Sequence, residues 1–426
     1  MGSFSRASSA QAKAPCVACC KADKGKDDEL AQAAATRVAA LQGKSLARPS
    51  NAAAVPSTAY GGPSGRTGSD CAQQARGLAS VVQRFDRYRE ALPSARAAAD
   101  LSELGDGAGT APSTKPCLTR LPVDAAGLNS ALGLPPDRLH DLELRNDDSG
   151  FRAAMYRDES TGNLILVPRD TQPDSLVDWQ TNTGNGIGSD TPQYFAMRNL
   201  TQELAQNGQT FDIAGYSKGG GLAQEGGLLS PLSQVRVFNS AGLPDEALAW
   251  TGADSFGDLV SRTRAFSAEG DFLTFMNDTD DPGQKILNAR FLRRELAGDG
   301  PGLNPIDIKV RNPALRGIDD PGFGSAKADY LSGLGQHIDE MQSAFDTGAD
   351  VAGFPPVRAG LRETLNDSMG AVGSALNLVG KLLGRGAGQP TLANLAQHKM
   401  STVLDALESN VSRDRRALQG FIASCG

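Results

Sequence analysis

The chain has 426 residues, 39% hydrophobic and 21% charged, enough for one large α/β core with an accessory region, or for two domains. Its formal net charge of −7 supplies no long-range attraction to phosphate backbones, which sets nucleic acid aside as a partner. No run of about 18 apolar residues occurs, and "MGSFSRASSAQAKAPCVACC" lacks the apolar stretch of a secretory leader, so the chain reads as neither membrane-spanning nor exported through a cleaved signal.

Residues 1–115 are rich in Ala, Ser and Gly and form the first predicted region, partly flexible and helical. Arg6, Lys13, Lys21, Lys24 and Lys26 face only Asp23 in its first 26 residues, giving a basic arm that reads as a solvated tail. Six cysteines are present: Cys16, Cys19, Cys20, Cys71, Cys117 and Cys425. No second CxxC completes a zinc site, so Cys16, Cys19 and Cys20 are expected as reduced thiols on a flexible segment, with no metal. A weak helix is predicted over 27–43. A stronger one follows over 72–92, where Leu78, Val81, Val82, Phe85, Tyr88 and Leu92 recur at helical spacing. The stretch between them has linker composition.

From about residue 116 the texture changes, and residues 116–426 read as a single catalytic domain. "FRAAMY" and "NLILVPR" flank a turn and predict two neighbouring strands. A helix over 191–207, the strand "TFDIAG", a helix opening at Lys218, and the strands "QVRVFN" and "RTRAFSA" follow. Strands separated by helices imply a mostly parallel sheet covered on both faces, an α/β fold. Beyond Asp271 the chain is loop-rich, with a strand candidate at "IDIKV" and helices near 326–346, 356–383 and 398–418.

The chemistry concentrates on Gly215-Tyr216-Ser217-Lys218-Gly219, a G-x-S-x-G match lying between a strand and a helix. In that setting a serine sits on a strained elbow, and the flanking glycines admit backbone where a Cβ would clash. The Lys218 amide, at the helix N-terminus, then points toward negative charge on a reacting oxygen. A glycine-rich turn with an incidental serine is the competing reading. A serine needs a base and an orienting carboxylate to act at neutral pH. "RAFSAEGD" presents Glu269 and Asp271 just past a strand. The histidines are His140, His337 and His398. His140 precedes the serine, His337 lies within a helical apolar pattern, and His398 stands where a loop leads into the last amphipathic helix.

"TGNLILVPRDTQPDSLVDW" resembles the class 3 lipase pattern of a buried strand, Arg-Gly-Thr and a Trp, here Arg169-Asp170-Thr171 and Trp179, with Asp170 in place of the glycine. "VRVFNSAGLPDEAL" and His398-Lys399-Met400 are similar to segments of bacterial type VI secretion lipase and phospholipase effectors. The resemblance spans roughly residues 140–410. It implies an α/β-hydrolase fold in which Thr171 is the second oxyanion residue, Asp271 in its Gly-Asp pair is the acid and His398 is the base, with His337 the alternative base.

The implied activity is hydrolysis of carboxylic esters of membrane lipids, with no metal or organic cofactor. The implied partners are a lipid or acyl-ester substrate, a peripheral membrane contact, and a secretion machine, chaperone or immunity protein. Made in the cytoplasm without a leader, the chain would reach a target-cell envelope by contact-dependent secretion. The helical insertion about 325–390 holds an uncharged stretch, Ser368 to Gly380, with Val372, Leu376, Val379 and Leu383 on one face. It reads as a lid, an interfacial helix or a helix packed on the core. A soluble housekeeping esterase or thioesterase, and a non-catalytic binding protein on the same fold, are the alternative functions.

Overall fold

The computed structural model describes residues 17–45, 68–104, 113–139, 144–172, 175, 177–178, 181–182, 185, 190–243, 246–254, 256–268, 306–310 and 398–425. These divide into two compact units. One holds the described residues within 93–404, the other those within 16–92 and 405–426.

The larger unit is built on an eight-stranded mixed sheet. Its strands are β1 (Leu118–Arg120), β2 (Arg145–Asn146), β3 (Phe151–Asp158), β4 (Leu164–Pro168), β5 (Phe211–Tyr216), β6 (Val235–Phe238), β7 (Thr263–Ala268) and β8 (Ile306–Val310). The order is β1-β3-β4-β5-β6-β7-β8, with β2 also paired to β3. β3 runs antiparallel to β1, β2 and β4, while β4 through β8 are mutually parallel. The β3–β4 hairpin turns through Gly162, whose positive φ of 83° suits a residue without Cβ. It pairs Ala154 with Val167 and Met155 with Leu166.

Each parallel step needs a crossover, and from β4 to β7 the described helices supply them. Helix α1 (Pro192–Gln206) joins β4 to β5, α2 (Lys218–Leu229) joins β5 to β6, and the short α3 (Ala247–Thr251) and α4 (Gly257–Arg262) join β6 to β7. Pro192 suits the first turn of α1, where its missing N–H has no intrahelical partner in any case. Central strands covered on both faces become continuously apolar. Ile213, Ala214 and Gly215 of β5 are accordingly buried in succession. The core packs Met155, Leu166, Ile213 and Val237 of the sheet against Tyr194, Met197 and Leu204 of α1 and Leu222 of α2.

Three further helices are long: α5 (Val17–Ser45), α6 (Gly68–Leu104) and α7 (Met400–Cys425). Within the smaller unit, Val38 and Leu41 of α5, Cys71 and Ala75 of α6, and Phe421 and Cys425 of α7 form one apolar cluster. Bidentate Arg84–Asp414 and Arg415–Asp27 pairs also join its helices. A disulfide joins Cys71 to Cys425, 354 residues apart.

The N-terminal expectations need correction. Helix α5 begins at Val17, ten residues before the predicted start, so Cys19, Cys20 and three of the basic residues lie on a helix and not in a tail. Lys24 and Lys26 pair there with Asp28 and Asp23. Cys19, Cys20 and Cys117 are disulfide-bonded, and no cysteine among the described residues is free. Spacing misled because disulfide partners are set by the fold and not by proximity in sequence. Helix α6 extends through Pro93 to Leu104. The predicted helices over 326–346 and 356–383, and with them the lid, lie outside the described residues, as do His140 and Trp179.

Candidate active site

Parallel α/β sheets bind ligands at the carboxyl ends of their strands, and there the motif residues gather. Ser217 follows β5 directly and initiates α2 with φ 53° and ψ −124°, a strained combination for a residue with a Cβ. Two glycines make the turn possible. A Cβ on Gly215 would run into the Gly219 carbonyl, and one on Gly219 into the Pro168 carbonyl at the end of β4. The turn is held from the β6 side as well. Ser217 N–H donates to the Phe238 carbonyl at 3.1 Å, and the Ser217 carbonyl accepts from Ala241 N–H at 2.9 Å.

Of the sequence-selected residues, Ser217 and His398 are brought together. His398 Nε2 lies 3.0 Å from Ser217 Oγ, across 181 residues of chain. The imidazole also lies against the Tyr216 ring, at 5.2 Å between centroids, and both Ser217 and His398 are half-buried. An imidazole nitrogen at hydrogen-bond distance from a hydroxyl on a strained turn can accept its proton as oxygen bonds to an electrophile. Asp271, Glu269 and His337 lie outside the described residues.

Lys218 is the first residue of α2, and Thr171 lies in the loop that leaves β4. Thr171 Oγ1 accepts from Asn182 Nδ2 at 2.9 Å. The Lys218 side chain turns inward and is buried, with its ammonium on the Asp178 carboxylate and, at 2.7 Å, on Gln193 Oε1. Asp178, fully buried, also accepts Gln172 N–H at 2.8 Å and Gln193 Nε2–H at 2.7 Å. One carboxylate therefore ties the loop carrying Thr171 to the helix that starts at Lys218. Burial pushes the Lys218 ammonium below its ordinary range, against the pull of Asp178.

Asp170, standing where the lipase pattern has glycine, accepts Ser102 Oγ–H at 2.8 Å through Oδ2. Burial raises its carboxyl above the usual range.

Asp178, Gln193 and Asn239 belong to this site without having been singled out in the sequence. Asn239 follows β6 with φ 41° and donates from Nδ2 to the His398 carbonyl at 3.0 Å. A lysine beside the motif serine, at the start of an apolar glycine-rich helix, was the available signal for a buried counter-charge such as Asp178. An Asn directly after a strand was the signal for a left-handed residue. Among the described residues no cluster of three or more His, Cys, Asp or Glu could hold a metal ion. No described helix is long and apolar enough to cross a membrane.

No curated protein matches the chain. Residues 122–296 match the family model for a phospholipase-like, Tle-like phospholipase domain, a span that contains Ser217, Thr171, Asp178 and Asn239 and stops short of His398. Through that domain the chain resembles the bacterial type VI lipase and phospholipase effectors.

Proposed function

We propose that this chain is a serine hydrolase of the α/β-hydrolase type that cleaves carboxylic ester bonds of membrane phospholipids. Ser217 Oγ attacks the ester carbonyl while His398 Nε2 takes its proton, and the tetrahedral oxyanion is held by the amides of Lys218 and Thr171. The imidazolium returns the proton to the departing alcohol. Water then attacks the acyl-enzyme as His398 takes its proton, and the imidazolium passes that proton to Ser217 Oγ as the acyl–oxygen bond breaks and the fatty acid leaves. Asp271 orients and stabilises the imidazolium as the acid of the triad.

The observation that carries this reading is the 3.0 Å separation of Ser217 Oγ and His398 Nε2. The match over 122–296 supports a phospholipid as the substrate class. The disulfides at Cys19, Cys20, Cys71, Cys117 and Cys425 support an oxidising destination such as a bacterial periplasm, in keeping with delivery as an antibacterial effector. In the same proposal residues 116–426 form the catalytic domain, the basic N-terminal arm serves in loading and the insertion about 325–390 covers the acyl pocket.

The test compares turnover of phosphatidylethanolamine–phosphatidylglycerol vesicles with turnover of a soluble short-chain ester, using wild type and Ser217→Ala. Vesicle hydrolysis that exceeds soluble-ester hydrolysis and disappears in Ser217→Ala is expected. A preference for the monomeric ester with no activation at the lipid surface would favour the housekeeping esterase instead.

A further inference from the structure

Ser217 and His398 are 181 residues apart, so their 3.0 Å contact has to be imposed by something both of them touch. The four residues from Phe238 to Ala241 meet that requirement. Ser217 is fixed by this segment through both of its backbone polar groups, its N–H on the Phe238 carbonyl (3.1 Å) and its carbonyl on the Ala241 N–H (2.9 Å). The same segment holds His398 through one side chain, since Asn239 Nδ2 donates to the His398 carbonyl at 3.0 Å.

Asn239 is itself anchored deeply. It is fully buried, its N–H donates to the Phe266 carbonyl at 2.9 Å, and its Oδ1 accepts Ala268 N–H at 2.8 Å. Those bonds set it across the carboxyl ends of β6 and β7. Its φ of 41° is a conformation that Gly and Asn adopt at less cost than other residues. Glycine would satisfy the backbone and lose both side-chain bonds, so the amide has a use here beyond tolerating the turn. Gln224 Nε2 secures the far end of the segment by donating to Ser240 Oγ at 2.9 Å and the Ala241 carbonyl at 2.8 Å.

We propose that Asn239 is the positioning residue of this site: by binding the His398 carbonyl it registers the imidazole against the Ser217 hydroxyl and couples both to the ends of the sheet. This rests on the Ser217–His398 reading above. A misplacement of about 1 Å in such a pair costs on the order of 100-fold in rate, so the effect of losing the amide is expected in chemistry and not in substrate affinity.

The test uses the full, oxidised chain as wild type, Asn239→Gly and Asn239→Asp. Asn239→Gly keeps the left-handed backbone and deletes both side-chain bonds. Asn239→Asp keeps the acceptor for Ala268 N–H and sets a carboxylate oxygen against the His398 carbonyl. Labelling of Ser217 by a fluorophosphonate is timed and normalised to folded protein from the thermal transition, and kcat and KM are measured on a soluble ester. Both variants are expected to label about 10- to 100-fold more slowly and to lose kcat in parallel, with KM within about twofold of wild type. Folded variants that label at the wild-type rate, or whose loss lies wholly in KM, would overturn the role of Asn239. Failure of wild type to label would instead overturn the hydrolase reading, and this proposal with it.

Discussion

Lys218 brings a buried ammonium to the start of a helix that continues with glycine, alanine and leucine, and Asp178 and Gln193 meet it there. A buried pair is a weak source of net stability, but removing one member leaves an unpaired charge in a low dielectric. Lys218→Met should therefore destabilise the protein by about 3–5 kcal/mol in urea unfolding. Adding Asp178→Asn should recover part of that loss, a coupling that a double-mutant cycle measures. A double-variant cost equal to the sum of the two single-variant costs would mean that the pair is not a unit. Of Lys218 only the backbone amide was singled out in the sequence; Ser217 and His398, which lie 3.0 Å apart, were legible there because a G-x-S-x-G between strand and helix and a short roster of histidines narrow the choices, with His337 left as the alternative base. Asp178 and Asn239 were not, because each acts by pointing at a residue far away in the chain. Asp178 reaches Lys218 across 40 positions and Asn239 reaches His398 across 159.

At the level of elements, the strands β3 to β7 and the helices α1 and α2 stand where apolar runs and helical spacing foretold them, since burial on both faces of a parallel sheet imprints itself locally on sequence. The start of α5 and the cysteine pairing were hidden, because Lys- and Asp-rich residues at 21–28 carry no apolar stripe and a disulfide has no local signature. Packing between α1 and α2 also buries Glu225, whose Oε1 accepts from Arg198 Nη1 at 2.7 Å. Burial pushes this carboxyl up to about 8 despite the pull of Arg198. Between the ordinary carboxylate range and that value, the native state holds a proton that the unfolded chain releases. Stability is therefore highest at low pH within this window and falls as pH rises through about 8. Glu225→Gln should flatten that slope in thermal melts between pH 6 and 9, and an unchanged slope would assign it to other groups. In the smaller unit, Cys71→Ser with Cys425→Ser should weaken the packing of α5, α6 and α7 by about 2–5 kcal/mol. Amide hydrogen exchange in those helices is expected to accelerate, and protection equal to wild type would show that the apolar cluster suffices without the crosslink.

For the whole molecule, the proposed lipid-hydrolysing role taken together with the disulfides makes an oxidising compartment beside a membrane the expected site of action. Expression directed to the periplasm should be toxic to a bacterial host, with Ser217→Ala harmless. Equal toxicity from the cytoplasm would argue against an envelope target. The most direct measurement for the central claim is the rate at which a fluorophosphonate labels wild type, His398→Ala and His337→Ala. The pairing of Ser217 with His398 predicts labelling at the wild-type rate in His337→Ala and a loss of about 1,000-fold or more in His398→Ala. Labelling that survives in His398→Ala and disappears in His337→Ala would contradict it.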